Sequence, residues 1–128
     1  MSEVEVFITT VGKPTFLRCV ESVEAQTLDL DGYIRLIEHV APMDAAFQQM
    51  IDTCQTPYYV QVDEDMVLKP DAVAWLLQAM KESKPECAIV CAPLWDTFFR
   101  MIIYGVKLHR HEIVKNYPYR HSDSCEMD

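Results

Sequence analysis

Hydrophobic positions along the chain alternate between two spacings, short β-branched runs and a helical repeat. Val4 to Thr10 is an apolar, β-branched run and predicts a first strand. Gly12, Lys13 and Pro14 break it, and Pro14 suits a first helical turn because its missing N–H has no partner there anyway. Phe16, Val20 and Val23 then recur at helical spacing to about Gln26. Asp29, Asp31 and Gly32 form a turn, and Tyr33 to Val40 predicts a second strand. After Pro42, the residues Met43, Ala46, Phe47, Met50, Ile51 and Cys54 fall at i, i+3, i+4, i+7, i+8 and i+11, the clearest amphipathic helix in the chain. Thr56 and Pro57 stop it. Tyr58 to Val62 predicts a third strand that runs straight into Asp63, Glu64 and Asp65. Lys69, Pro70 and Asp71 start a third helix with Val73, Leu76, Leu77 and Met80 on one face, ended by Lys84 and Pro85. Cys87 to Ala92 predicts a fourth strand, and Arg100 to His109 a fifth strand or a bent strand pair. Glu112 to Asn116 reads as one helical turn and His121 to Asp128 as a polar loop.

Alternating strands and helices predict an α/β fold of three layers, α/β/α, with a mostly parallel sheet covered on both faces. Ligands of such sheets sit at the carboxyl ends of the strands. Three places fit that rule: the loop from Thr10 to Lys13, the loop after the second strand, and Asp63 to Asp65.

Composition narrows the possibilities. A chain of 128 residues, half of them hydrophobic, predicts one globular domain over residues 1–128. A formal charge of −9 disfavours nucleic acid as the main partner, because such a surface repels phosphate backbones. It does not repel a nucleotide held through a metal ion. No apolar run approaches the roughly 20 residues of a transmembrane helix, and the acidic N-terminus is unlike a signal peptide. Cys19, Cys54, Cys87, Cys91 and Cys125 are an odd set without a CxxC pair, which predicts free thiols and a cytoplasmic protein. An open sheet edge would favour a homo-oligomer.

Asp63-Glu64-Asp65 carries the most chemistry. Alternation in an extended chain puts Asp63 and Asp65 on one side and Glu64 on the other. Carboxylates that converge at a strand end repel one another unless a cation or proton intervenes. Mn²⁺ or Mg²⁺ is the natural partner, because a hard ion takes oxygen ligands at about 2.1 Å and keeps positions free for substrate phosphates. One of His39, His109, His111 and His121 could complete the metal set, and His121 is the choice beside Asp63 and Asp65. Glu126 and Asp128 are candidate general bases. Lys13, Arg18, Arg100, Lys107 and Arg110 are possible phosphate partners, and only Lys13 lies in a strand-to-helix loop at the expected edge. No GxGxxG, GxxxxGK[ST] or GxSxG occurs. The Met and Phe positions of the second helix read as core.

The run VFITTVGKPTFLRCVESVEAQT resembles the opening of family-two glycosyltransferases of the GT-A fold, where a first strand, a short polar loop and a helix follow one another. The segment AAFQQMIDTCQTPYYVQVDEDMVLKPDAV resembles that family's centre, a helix and a strand ending in a DxD motif, then a helix start like Val67-Leu68-Lys69-Pro70-Asp71-Ala72. The tail Ser124-Cys125-Glu126-Met127-Asp128 resembles its acidic motif. The likeness covers most of the chain in the family's order. It implies a metal-dependent, inverting transfer of a sugar from a nucleoside-diphosphate sugar, a UDP-sugar first, to a hydroxyl acceptor. It implies that Thr10, Val11, Gly12, Lys13 and Glu38 hold the nucleotide, with Asp63 and Glu64 beside them. Asp65 then binds the metal, Asp63 lies near the ribose and the metal's waters, and Asp128 or Glu126 is the base. The family's acidic stretch after the second strand is replaced here by Glu38-His39-Val40-Ala41-Pro42. Members also continue past the acidic motif into acceptor-binding helices, which this stretch of chain lacks.

Other readings use the same residues. In a haloacid-dehalogenase-type phosphatase, Asp63 would be the nucleophile and Asp65 the acid, but that motif normally follows a first strand. A non-catalytic nucleotide-binding α/β module needs the site without turnover. A nucleotidyltransferase of related fold usually carries a glycine-rich first loop, which is absent.

Overall fold

The computed structural model describes residues 2–118. Its elements are β1 (Val4–Thr10), α1 (Phe16–Glu24), β2 (Ile34–Glu38), α2 (Met43–Thr53), β3 (Tyr58–Asp63), α3 (Ala72–Glu82), β4 (Ile89–Asp96), β5 (Met101–Arg110) and α4 (His111–Val114). They build an α/β fold around a mixed sheet of order β2-β1-β3-β5-β4. β1 pairs parallel with β2 and with β3. β5 is antiparallel to both β3 and β4, so it alone runs against the other strands. Residues 97–100 join β4 to β5, and so short a link can connect only antiparallel neighbours.

Two strand boundaries differ from the sequence expectation, each for a local reason. β2 stops at Glu38 rather than Val40 because His39 adopts φ 53°, a left-handed conformation that cannot continue a strand. The His39 amide turns instead to the Thr10 carbonyl at 2.9 Å. β4 runs past Pro93 to Asp96, and the ladder shifts register between Ala92 and Pro93. A proline on an edge strand is accommodated at such a bulge, since it has no amide hydrogen to donate. At the turn, Asp96 Oδ1 accepts the amides of Phe98 and Phe99, both at 2.9 Å. Beyond the bulge the hairpin extends past β3 on the side where β3 ends, and it exposes Trp95, Phe98, Phe99, Ile102 and Tyr104.

Alternation along the strands fills two layers. Val4, Val6, Ile8, Val60, Val62, Val106 and Leu108 face α1 and α3, where Cys19, Val23, Val73, Leu76 and Met80 meet them. Phe7, Ile37 and Tyr59 face α2 and its Ala46, Met50 and Ile51. Glu5 lies on the α2 side and is almost fully buried. Its carboxylate is satisfied by the Arg35 guanidinium at 3.3 Å, the Gln55 amide at 2.5 Å and the Thr56 hydroxyl at 3.3 Å.

Polar side chains of α1 and of the turn just after it fix the segment that follows β3. Gln26 donates Nε2 to the Lys69 carbonyl at 2.8 Å and accepts the Val73 amide at 3.0 Å. Ser22 Oγ accepts the Leu68 amide at 3.1 Å. Ser22 of α1 and Gln26 just past its end thus set where α3 begins, and so hold the end of β3 in place.

His109 is buried on the α2 side and stacks on Tyr59, with ring centroids 4.6 Å apart. Its Nδ1 has no hydrogen-bond partner among the described residues. Burial, with some repulsion from Lys107, pushes its pKa down to about 4 from the usual 6.5. The unfolded chain takes up a proton that the folded chain refuses, so stability should fall as pH drops through the window from 6.5 to about 4. The expected contribution to the slope is roughly 1.4 kcal/mol per pH unit, checked by urea unfolding across that window, and His109→Phe should remove that contribution.

Candidate functional site

The carboxyl ends of β1 and β3 open into a cleft of about 310 Å³. Its walls come from three directions. Thr9, Thr10, Val11 and Lys13 belong to β1 and the loop after it. Ile37 and Val40 flank the end of β2, and Met43, Ala46 and Phe47 overhang from α2. Asp63, Glu64 and Asp65 close the third side.

The three acids do different things. Asp63 is half-buried, and its Oδ1 accepts Thr9 Oγ1 at 2.9 Å and Gln61 Nε2 at 2.5 Å. Those contacts follow from pairing, since Thr9 sits opposite Asp63 and Gln61 shares its face of the sheet. Asp65 is exposed and has no hydrogen-bond partner among the described residues. Glu64 turns back to the β1–α1 loop and is only 6% exposed. Its Oε1 accepts the Thr10 hydroxyl at 3.0 Å and the Lys13 amide at 2.7 Å, and its Oε2 accepts the Val11 amide at 2.7 Å. Burial would raise the pKa of Glu64, but the Val11 and Lys13 amides, the Thr10 hydroxyl and the Lys13 ammonium outweigh it and hold the carboxyl below its usual range. Gly12 completes the loop at φ 86°, where a side chain would be strained, and its amide meets Thr10 Oγ1 at 3.0 Å.

Cys19 registers the charge of this edge. Its thiol donates to the Asp63 carbonyl at 3.4 Å. Burial first, then the charges of Asp65, Asp63 and Glu64, push its pKa up to about 11, so it stays a protonated, inert thiol. The described cysteines Cys19, Cys54, Cys87 and Cys91 are all free.

The sequence-predicted residues therefore converge in part. Thr10, Val11, Lys13, Asp63, Glu64 and Asp65 line one cleft, and Gly12 forms the turn that shapes it. Glu38 ends β2 opposite Thr10 and is exposed, beside the cleft rather than in its wall. Asp128, Glu126 and His121 lie outside the described residues. His109 pairs with Tyr59 near the start of β3, far along the strand from the carboxylates. His111 Nε2 meets the Ile51 carbonyl at 2.8 Å, so neither histidine joins the acidic edge. Phe47 packs against the core as expected and also walls the cleft, whereas Met43, expected to be core, is 42% exposed in the cleft wall. Helical spacing gives the inward face of α2 but not that its first turns overhang the end of the sheet. Gln61 and Thr9 join the site through Asp63: alternation along β3 is the sequence signal for Gln61, whereas Thr9 is brought there by the β1–β3 pairing.

Among the described residues no group of three or more His, Cys, Asp or Glu side chains is arranged to hold a metal ion by itself. Two carboxylates are nonetheless enough for an ion that draws its remaining ligands from water and substrate phosphates. Asp65 is free to serve, Asp63 keeps its second oxygen, and three acids against the single Lys13 make a cation welcome. The residues present fit a divalent ion shared with a ligand.

No family profile matches the sequence, and no curated protein does. Solved structures do match. A mannosyltransferase from Pyrobaculum calidifontis, in complex with GDP-Man and Mn²⁺, superposes with a TM-score of 0.72 at 11% identity over 94% of this chain. The chain spans 48% of that protein's length. The 4-diphosphocytidyl-2C-methyl-D-erythritol synthase of Anaerococcus prevotii gives a TM-score of 0.60 at 8% identity, covering 88% of this chain and 72% of that one. A CMP:2-keto-3-deoxy-manno-octonic acid synthetase complexed with CTP gives 0.58 at 12% identity, covering 91% and 77%. At such identities the likeness is one of architecture, and the architecture is that of the GT-A-like, nucleotide-diphospho-sugar transferase fold.

Proposed function

We propose that the cleft binds a nucleoside-diphosphate sugar together with Mn²⁺ or Mg²⁺, as the donor site of an inverting glycosyltransferase. The observation that carries this is Asp65, an unpartnered carboxylate beside Asp63 at the end of β3, facing a cleft walled by the β1–α1 loop. That the mannosyltransferase of the same fold was solved with GDP-Man and Mn²⁺ supports the choice of ligand. In this reading Asp65 and Asp63 would hold the cation, and Lys13 would add a second positive charge to the diphosphate. Thr10, Val11 and Gly12 would face the nucleoside, with Glu38 at its rim. When bound, such an ion stabilises the charge on the departing diphosphate. The acceptor hydroxyl's proton would go to Asp128 or Glu126. A UDP-sugar is the donor to try first.

The test is calorimetric titration of UDP into the folded chain with and without Mn²⁺. Binding that appears only with Mn²⁺ is the expected result. Failure of UDP, GDP and CDP alike to bind with Mn²⁺ present would overturn the proposal.

The two nucleotidyltransferase neighbours favour a second reading, in which a nucleoside triphosphate occupies the same cleft. CTP binding tighter than UDP, with release of pyrophosphate when a sugar acid or sugar phosphate is added, would select it.

A further inference from the structure

Three consecutive amides of the β1–α1 loop are all taken. Val11 and Lys13 donate to the two oxygens of Glu64 at 2.7 Å each, and Gly12 donates to Thr10 Oγ1 at 3.0 Å. Thr10 Oγ1 in turn donates to Glu64 at 3.0 Å. Successive amides that converge on one point form a nest that suits an anion. In this loop the anion is part of the chain, since the Glu64 carboxylate already fills the nest and is 6% exposed. A ligand phosphate therefore finds no free amides there. The neighbours of Glu64 in sequence, Asp63 and Asp65, line the cleft with it.

We propose that Glu64 is a positioning residue: as the built-in anion of the loop, it holds the wall formed by Thr10, Val11 and Gly12 against the nucleoside and leaves the diphosphate to the cation on Asp63 and Asp65. This rests on the donor-site reading above. It divides the acidic triplet into two duties, the outer acids toward the cation and the middle acid toward the loop. It also accounts for the absence of a glycine-rich phosphate loop in a cleft that would take a diphosphate.

Glu64→Gln keeps the shape but removes the charge and turns an N–H donor toward amides that are themselves donors. Glu64→Asp keeps the charge on a shorter reach. Wild type and both variants would be titrated with Mn²⁺ alone, with uridine alone, and with UDP plus Mn²⁺. In parallel, amide hydrogen exchange would be followed at Val11 and Lys13, which needs no nucleotide. In Glu64→Gln, affinity for uridine and for UDP with Mn²⁺ should fall by the same factor, about tenfold or more, as expected for losing charge-assisted hydrogen bonds. Affinity for Mn²⁺ alone should stay within about twofold, and the Val11 and Lys13 amides should lose protection. Glu64→Asp should fall between wild type and Glu64→Gln. A general loss of stability would instead lower the melting temperature and leave the uridine-to-Mn²⁺ affinity ratio unchanged. Nucleotide affinity in Glu64→Gln equal to wild type would overturn the proposal and leave the donor site standing. A wild type that binds no nucleotide with Mn²⁺ overturns the donor site itself, whatever the amides do, and the nucleoside-facing duty of Glu64 with it.

Discussion

Asp65→Ala should weaken Mn²⁺-dependent binding of UDP by about a hundredfold while leaving the fold intact. The two halves of that result have separate causes. Asp65 is exposed and makes no hydrogen bond to any described residue, so its removal strands no buried partner. Its cost to stability should lie within about 0.5 kcal/mol, the usual range for a surface change. In the proposed site it would be the ligand with both oxygens open, whereas Asp63 has committed Oδ1 to Thr9 and Gln61. Loss of one of only two protein carboxylates should weaken UDP binding in Mn²⁺ by about a hundredfold, the upper end of the effect of one charged group that is worth about 3 kcal/mol. Asp63→Ala should behave differently: it also leaves the Thr9 hydroxyl and the Gln61 amide without their acceptor, so the melting temperature should drop with it. Calorimetry and thermal unfolding on both variants separate the two roles. An Asp65→Ala protein that binds UDP in Mn²⁺ as tightly as wild type would remove the acidic edge from the donor site.

Leu108→Ala should be among the most damaging single substitutions in the chain. Leu108 is fully buried on β5, opposite Val60 on one side and Val90 on the other. Its side chain lies in the layer packed by α1 and α3. Truncation removes apolar surface and leaves a cavity between the sheet and the layer of α1 and α3, with the Leu108 backbone held by two ladders. Such changes cost about 2–5 kcal/mol, a large part of the 5–15 kcal/mol that holds a typical domain together. Leu36→Ala is the natural contrast, because Leu36 lies on the edge strand β2 and is 43% exposed. Urea unfolding should separate the pair by at least about 2 kcal/mol. Equal midpoints would mean that β5 does not carry the core.

The elements whose apolar residues repeat without interruption were legible. β1, α2, β3 and α3 begin and end within a residue or two of where spacing and prolines place them. The strands that differ are those altered by one unusual residue. His39 cuts β2 short by its backbone conformation, and Pro93 marks a bulge inside β4 rather than its end. Strand order was out of reach, because periodicity tells which face of a strand is buried and nothing about which neighbour lies beside it. The antiparallel place of β5 follows from the short link after Asp96, once that link is seen to be a turn.

The site divides in the same way. Asp63-Glu64-Asp65 was legible because an apolar strand that runs into acids must leave them at a sheet edge. The separate duty of Glu64 was not. It depends on a side chain reaching residues 51 to 54 positions away in the chain, which only the β1–β3 pairing brings close. The part of Met43 and Phe47 in the cleft wall was hidden for a related reason, since the overhang of α2 is set by where β2 turns at His39.

The position of β5 also orders how the sheet can be assembled. Among the described residues β4 has β5 as its one neighbour in the sheet, and β3 has β5 as its partner on the side away from β1. The half-sheet β2-β1-β3 with its three helices is complete once the chain has passed Glu82. Until β5 arrives, however, the side of β3 away from β1 presents unpaired amides and carbonyls from Tyr58 to Gln61. β4 cannot cover them, because its ladder is made with β5 alone. The hairpin is closed by contacts local in sequence and forms quickly, whereas its docking onto β3 closes a longer loop. During synthesis the acidic edge is therefore built beside an open strand, which the last strand of the sheet then seals.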